Sequence, residues 1–137
     1  PKNANAWAEL ADLTIALNPS DLLKAGEIAE KALAVDPWHQ KGLMIGAAAA
    51  FERGDYAHAA VLFDRLRKQI PAGNEVHDAL TQQIEMTLAA GGLKAIPKDD
   101  VGEKPETDLE KMMKLGGGMQ QAPERGQDGV GLNPLKR

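Results

Sequence analysis

Three histidines, His39, His58 and His77, are the side chains of this sequence best suited to hold a metal or move a proton near neutral pH. Their spacing supports neither. Metal-binding histidines recur roughly three to five residues apart, whereas these fall in three separate segments, so they are read as surface or interhelix residues. The acidic pair Asp99-Asp100 lies in a stretch poor in large apolar groups, where nothing is expected to shift its pKa toward acid–base work. The glycine run 116–118 does not follow a strand and makes no phosphate cradle. No Ser–His–Asp order suggests a nucleophile. The absence of cysteine removes disulfides, thiol catalysis and thiolate metal sites together. The expectation is a protein without catalytic residues, metal ligands or cofactor, whose chemistry is recognition.

The elements that would position a recognition surface are legible from composition. A chain of 137 residues, 43% hydrophobic but only 4% aromatic and rich in alanine, suits helices packed closely through small side chains. A formal charge of −4 does not favour nucleic acid. No apolar run approaches the ~18 residues a membrane span needs, and the given residues spell no signal-peptide pattern. The opening PKNANAW reads as the middle of a longer array, so an upstream anchor is left open.

Composition changes near Gly91-Gly92. Residues 1–92 hold all five aromatics, with 8 basic and 12 acidic residues. Residues 93–137 hold 8 of each, half of the glycines and prolines, and no aromatic. The second stretch is expected to be a mostly disordered tail. The first predicts five helices: Asn5 to Leu17, stopped by Asn18-Pro19; Ser20 or Asp21, as cap, to Val35, stopped by Asp36-Pro37; Gln40 to Arg53, ended by Gly54; Asp55, as cap, to Ile70, stopped by Pro71; and Asn74 to Ala90, ended by Gly91-Gly92. Their short connections force neighbours to run antiparallel.

A period underlies these helices. Pro37 and Pro71 lie 34 residues apart. Trp7-x-x-Leu10-Ala11-x-x-Thr14, Ala25-x-x-x-Ala29 and Pro37 form one unit. Leu43-x-x-Gly46-Ala47-x-x-Ala50, Ala59-x-x-x-Phe63 and Pro71 form the next, and His77-x-x-Leu80-Thr81-x-x-Ile84 begins a third that stops after one helix. This wording resembles the tetratricopeptide repeat, an all-α solenoid of antiparallel helix pairs around a concave groove. The first unit departs from it at its internal turn, where NPS replaces the usual Gly-Asp. More narrowly, ALAVDP, AAFERGDYAHAAVLFDRL and IPAGNEVHDALTQQIE resemble the tetratricopeptide domain of cytochrome c maturation proteins of the CcmI/CycH/NrfG type. That resemblance implies a bacterial periplasmic, membrane-tethered module. Such a module holds apocytochrome c, chiefly by its C-terminal helix, and presents it to the haem-ligation machinery. A generic scaffold or adaptor in another envelope or secretion assembly is the alternative.

In a tetratricopeptide array the first helix of each pair lines the groove. That assigns Asn5, Ala8, Asp12 and Ile15 from the first helix, Lys41, Met44, Ala48, Phe51 and Glu52 from the third, and Asp78, Gln82, Glu85 and Met86 from the fifth. Ile15, Met44, Phe51 and Met86 give an apolar floor, with Asp12, Glu52, Asp78 and Glu85 as an acidic rim. Such a surface suits an amphipathic helix with basic flanks. Core packing is the competing role for Ile15 and Phe51. Only Lys41 and Asn5 are available to grip a peptide carboxylate, against four acids. In the tail, Thr107-x-x-Glu110 spells a capping box for a short helix over 107–115, with Leu109, Met112 and Met113 on one face.

Overall fold

The computed structural model describes residues 3–115. Its described residues form six α-helices and no strand: α1 (Ala4–Leu17), α2 (Leu22–Val35), α3 (Gln40–Glu52), α4 (Tyr56–Arg67), α5 (Glu75–Gly91) and α6 (Asp108–Leu115), with a single 3-10 turn at Pro19–Asp21 before α2. Within the first five helices α1 packs on α2, α2 on α3, α3 on α4 and α4 on α5, and α1 also touches α3.

Polar side chains start these helices by satisfying free backbone N–H groups. Asn3, Asp55 and Asn74 accept from Ala6, His58 and Val76 at 3.1, 3.2 and 2.7 Å. The start of α2 differs from expectation. Asn18 takes the Ser20 amide and hydroxyl, opening the 3-10 turn, while Asp21 makes no side-chain cap bond. Gly54 (φ 85°) makes the turn between α3 and α4, and Gly92 (φ 65°) ends α5 in the left-handed conformation that favours glycine. α4 ends at Arg67 rather than Ile70. The Gln69 and Ile70 amides turn back to Leu66 and Arg67, tightening the chain ahead of Pro71.

Two apolar clusters hold α1 to α5 together. The larger joins Leu33, Leu43, Leu62, Phe63, Leu66, Leu80 and Ile84 through the buried alanines 47, 50 and 59, edged by Phe51, Ile70, Leu88 and Ile96. The smaller joins Ala11, Ala25, Ala29 and Ile45, with Ile15 and Ile28 against it. α2 and α3 approach closely. A Cβ on Gly26 would collide with the Cβ of Ala49.

The contacts divide the chain at Lys104, not at Gly92. The reason is one buried cation. Arg65 of α4 donates from Nε and Nη2 to the two carboxylate oxygens of Asp99, both at 3.0 Å, and from Nη1 to the Pro37 carbonyl at 2.9 Å. Its side chain is 8% exposed, so the charge requires a partner, and Asp99 brings the segment after α5 back to supply one. Ile96 joins the larger cluster on the way. Residues 93–101, read from composition as tail, form a strap on the first unit. Asp99 accordingly lies below the usual carboxylate range. Burial pushes it up, but the Arg65 hydrogen bonds and charge, the Val101 amide and Lys68 outweigh that.

The second unit, residues 105–137, is described as far as Leu115. The Thr107 amide donates to Glu110 at 2.8 Å and the Glu110 amide to the Thr107 hydroxyl at 3.1 Å, the reciprocal pair its sequence spells. Lys114 reaches Glu106 at 2.7 Å, and Leu109, Met112, Met113 and Leu115 are exposed. The glycine run 116–118 and the rest of the expected tail lie outside the described residues.

Candidate peptide-binding surface

The residues assigned to recognition sit on α1, α3 and α5, and the structure sorts them by environment. Asp12, Glu52, Asp78, Gln82 and Glu85 are exposed. Met44 and Met86 are 56% and 60% exposed, high for unbranched apolar side chains on helices whose opposite faces are buried. Ile15, Lys41, Ala48 and Phe51 are half-buried. Ile15 packs on the smaller cluster. Phe51 packs on the larger one and meets Tyr56 edge-on, with ring centroids 5.2 Å apart. Ala8, also projected toward the groove, is fully buried.

The electrostatics of this surface are set by which charges are already engaged. Lys41 bridges Glu9 at 2.9 Å and Asp12 at 3.2 Å, joining α3 to α1, and these hydrogen bonds, Glu9 first, raise its pKa. Asn5 is held by His39, whose Nε2 lies 2.6 Å from the Asn5 Oδ1. The two residues able to grip a peptide carboxylate are therefore both engaged with neighbouring helices. The exposed acids Glu52, Asp78 and Glu85 are left to give the surface its sign.

Sequence spacing did not disclose the roles of the histidines and of Arg65. His39 caps α3: its Nδ1 accepts the Gly42 amide at 3.1 Å, which fixes Nε2 as the protonated nitrogen donating to Asn5. Asn3 and His39, 36 positions apart, thus cap α1 and α3 in turn. His58 on α4 lies 2.8 Å from Glu30 on α2, and that hydrogen bond is the main cause of its raised pKa. Arg65 and Gln69 both hold the turn between α2 and α3, Gln69 donating to the Trp38 carbonyl at 2.9 Å. The visible signal for Arg65 was a cation on the apolar face of α4, between Leu62 and Leu66.

Among the described residues no group of three or more His, Cys, Asp or Glu side chains could hold a metal ion, and no helix is long and apolar enough to cross a membrane. No protein-family model, no curated protein and no solved structure matches the chain.

Proposed function

We propose that this chain is a protein-binding module of the tetratricopeptide type that holds an amphipathic helical segment with basic flanks. The repeat reading is supported by contacts that follow the sequence period. Ala11 and Ala47, then Ala25 and Ala59, occupy matched positions and are all fully buried. Asn5 and His39 touch across 34 residues. The observation that carries the function is the pair of exposed thioethers, Met44 on α3 and Met86 on α5, on helices that also expose Glu52, Asp78 and Glu85. Thioethers adapt to varied apolar partners, and carboxylates select for basic flanks.

With the resemblance to cytochrome c maturation proteins, the partner proposed is apocytochrome c, held by its C-terminal helix in the bacterial periplasm for the haem-ligation machinery. A scaffold in another envelope or secretion assembly would use the same surface. Titration of the chain with apocytochrome c, holocytochrome c and a scrambled C-terminal helix separates the two. Preference for the apo form supports the chaperone, and equal binding of unrelated basic helices supports the scaffold. Met44→Glu and Met86→Glu should each weaken binding roughly tenfold, about 1.4 kcal/mol, with unchanged helix content. Unaltered affinity in both would refute the assigned surface.

A further inference from the structure

Methionine in this chain is a surface residue. The two apolar clusters of α1 to α5 are built from Leu, Ile, Phe and Ala, with no thioether among their members. Of the five methionines, Met44 on α3 and Met86 on α5 are 56% and 60% exposed, and Met112 and Met113 on α6 are 63% and 52% exposed. The fifth, Met119, lies outside the described residues.

With cysteine absent, the thioether is the most readily oxidised group the chain possesses. Its sulfur lone pair attacks one oxygen of hydrogen peroxide and the O–O bond breaks. The sulfur is oxidised by two electrons to a sulfoxide, and the peroxide is reduced to water. The reaction needs only that the oxidant reach sulfur. One helical turn either side, Met44 has Gln40, Lys41 and Ala48 as neighbours, and Met86 has Gln82 and Ala90, all polar or small. The exposed carboxylates Glu52, Asp78 and Glu85 on the same helices repel anionic oxidants, so a neutral peroxide is the class this surface admits.

Oxidation places a strong hydrogen-bond acceptor where an apolar contact is to form. Covering that oxygen with an apolar partner strips its water and supplies no donor, which is unfavourable. Because neither side chain belongs to the clusters, the fold is spared. We propose, on the reading that Met44 and Met86 contact the partner, that they are peroxide-modified sites at which sulfoxidation releases an apolar helical partner while the domain stays folded. The change is reversible. A methionine sulfoxide reductase returns the thioether, the oxygen leaving as water while a dithiol becomes a disulfide.

The test uses the 137-residue chain carrying Met112→Leu/Met113→Leu/Met119→Leu, in which Met44 and Met86 are the remaining thioethers. Hydrogen peroxide, removed afterwards with catalase, should add the mass of two oxygen atoms. Peptide mass spectrometry should place them at Met44 and Met86, with circular dichroism and Tm nearly unchanged. The probe is a synthetic amphipathic helix with a leucine face, lysine flanks and no methionine or cysteine. Its affinity should fall roughly tenfold on oxidation, and sulfoxide reductases with dithiothreitol should restore it. With Met44→Leu/Met86→Leu added, the affinity, whatever its starting value, should be indifferent to peroxide. Oxidation that unfolds the domain, or that spares Met44 and Met86, would overturn the proposal and leave the peptide-binding reading standing. So would affinity that is equal before and after oxidation, or a loss that the reductases do not restore. An untreated chain that fails to bind the helix would overturn both.

Discussion

Replacing Asp99 by Asn removes the charge that pairs with Arg65 while keeping the side chain's size. The two side chains are 15% and 8% exposed and share two hydrogen bonds of 3.0 Å. Exposed pairs contribute about 0–1 kcal/mol, and removing one partner of a fully buried pair costs about 3–5 kcal/mol. Asp99 lies between these limits and Asn retains one acceptor, so a loss of about 2 kcal/mol is expected. For a domain of this size that lowers Tm by roughly 8–10 °C. The loss should begin locally, because Asp99 is the polar anchor of the strap. Amide exchange should rise at Val101, whose N–H donates to Asp99 at 3.3 Å, before it rises in the α3 core.

The pH dependence has a definite sign. Asp99 has a lowered pKa in the folded chain, so its contribution is present above the unfolded carboxylate value near 4 and is lost as pH falls through the lowered folded value. Asp99→Asn should flatten that part of the acid limb. In Arg65→Met/Asp99→Asn no buried charge is left unpaired, so the double variant should lose at least about 1 kcal/mol less than the summed singles. Unchanged Tm and unchanged Val101 exchange in Asp99→Asn would refute the strap as a stabilising element.

Two further perturbations test the helix contacts. His58 has a raised pKa, so its bond to Glu30 stabilises fully below the unfolded value near 6.5 and is lost as pH rises through the raised folded value. Both side chains are about a third exposed, so the effect is at most about 1 kcal/mol; Glu30→Gln should abolish this slope in Tm measured from acid to mildly alkaline pH. Gly26→Ala should destabilise by about 1–2 kcal/mol in urea unfolding, since overpacking against Ala49 exceeds the gain in helix propensity, and Ala49→Gly should relieve the collision. A stabilised Gly26→Ala would show that α2 and α3 can separate freely there.

The helices were legible because their ends are local chemistry. Asp55 caps the helix that follows it, and Gly54 and Gly92 take positive φ at the turns beside their helices, while Asn3, just ahead of the expected start at Asn5, caps α1. Ala11, Ala25, Ala47 and Ala59 were legible because small residues recur at matched places of the sequence, whereas Ala8, projected to the open face, is buried. What periodicity does not encode is the choice of a polar partner far along the chain. Arg65 finds Asp99 and His58 finds Glu30 only once the backbone is folded. The strap was missed for the same reason. Ile96 gives composition little to register, yet it is enough beside an ion pair that a buried arginine demands.

The candidate surface was less legible than the fold, and Phe51 shows why. Helical spacing puts it beside Met44 and Glu52, but spacing cannot tell an open face from a seam between helices. In the folded chain its ring lies edge-on to Tyr56, and the α-carbon of Gly91 approaches so closely that a Cβ there would fall 2.7 Å from that of Tyr56. Phe51 thus stands at the junction of α3, α4 and α5, and Phe51→Asp would loosen the core while it altered any binding. Loss of affinity in that variant says little about recognition. The informative positions are those whose side chains leave the core untouched, Met44 and Met86 among the apolar ones and Glu52, Asp78 and Glu85 among the acids. Because those acids are solvent-exposed, their share of the affinity is screened by salt while the thioether share is not. Binding that weakens with ionic strength only to a plateau, and a plateau that Met44→Glu lowers about tenfold, would assign the two contributions to the two sets of residues.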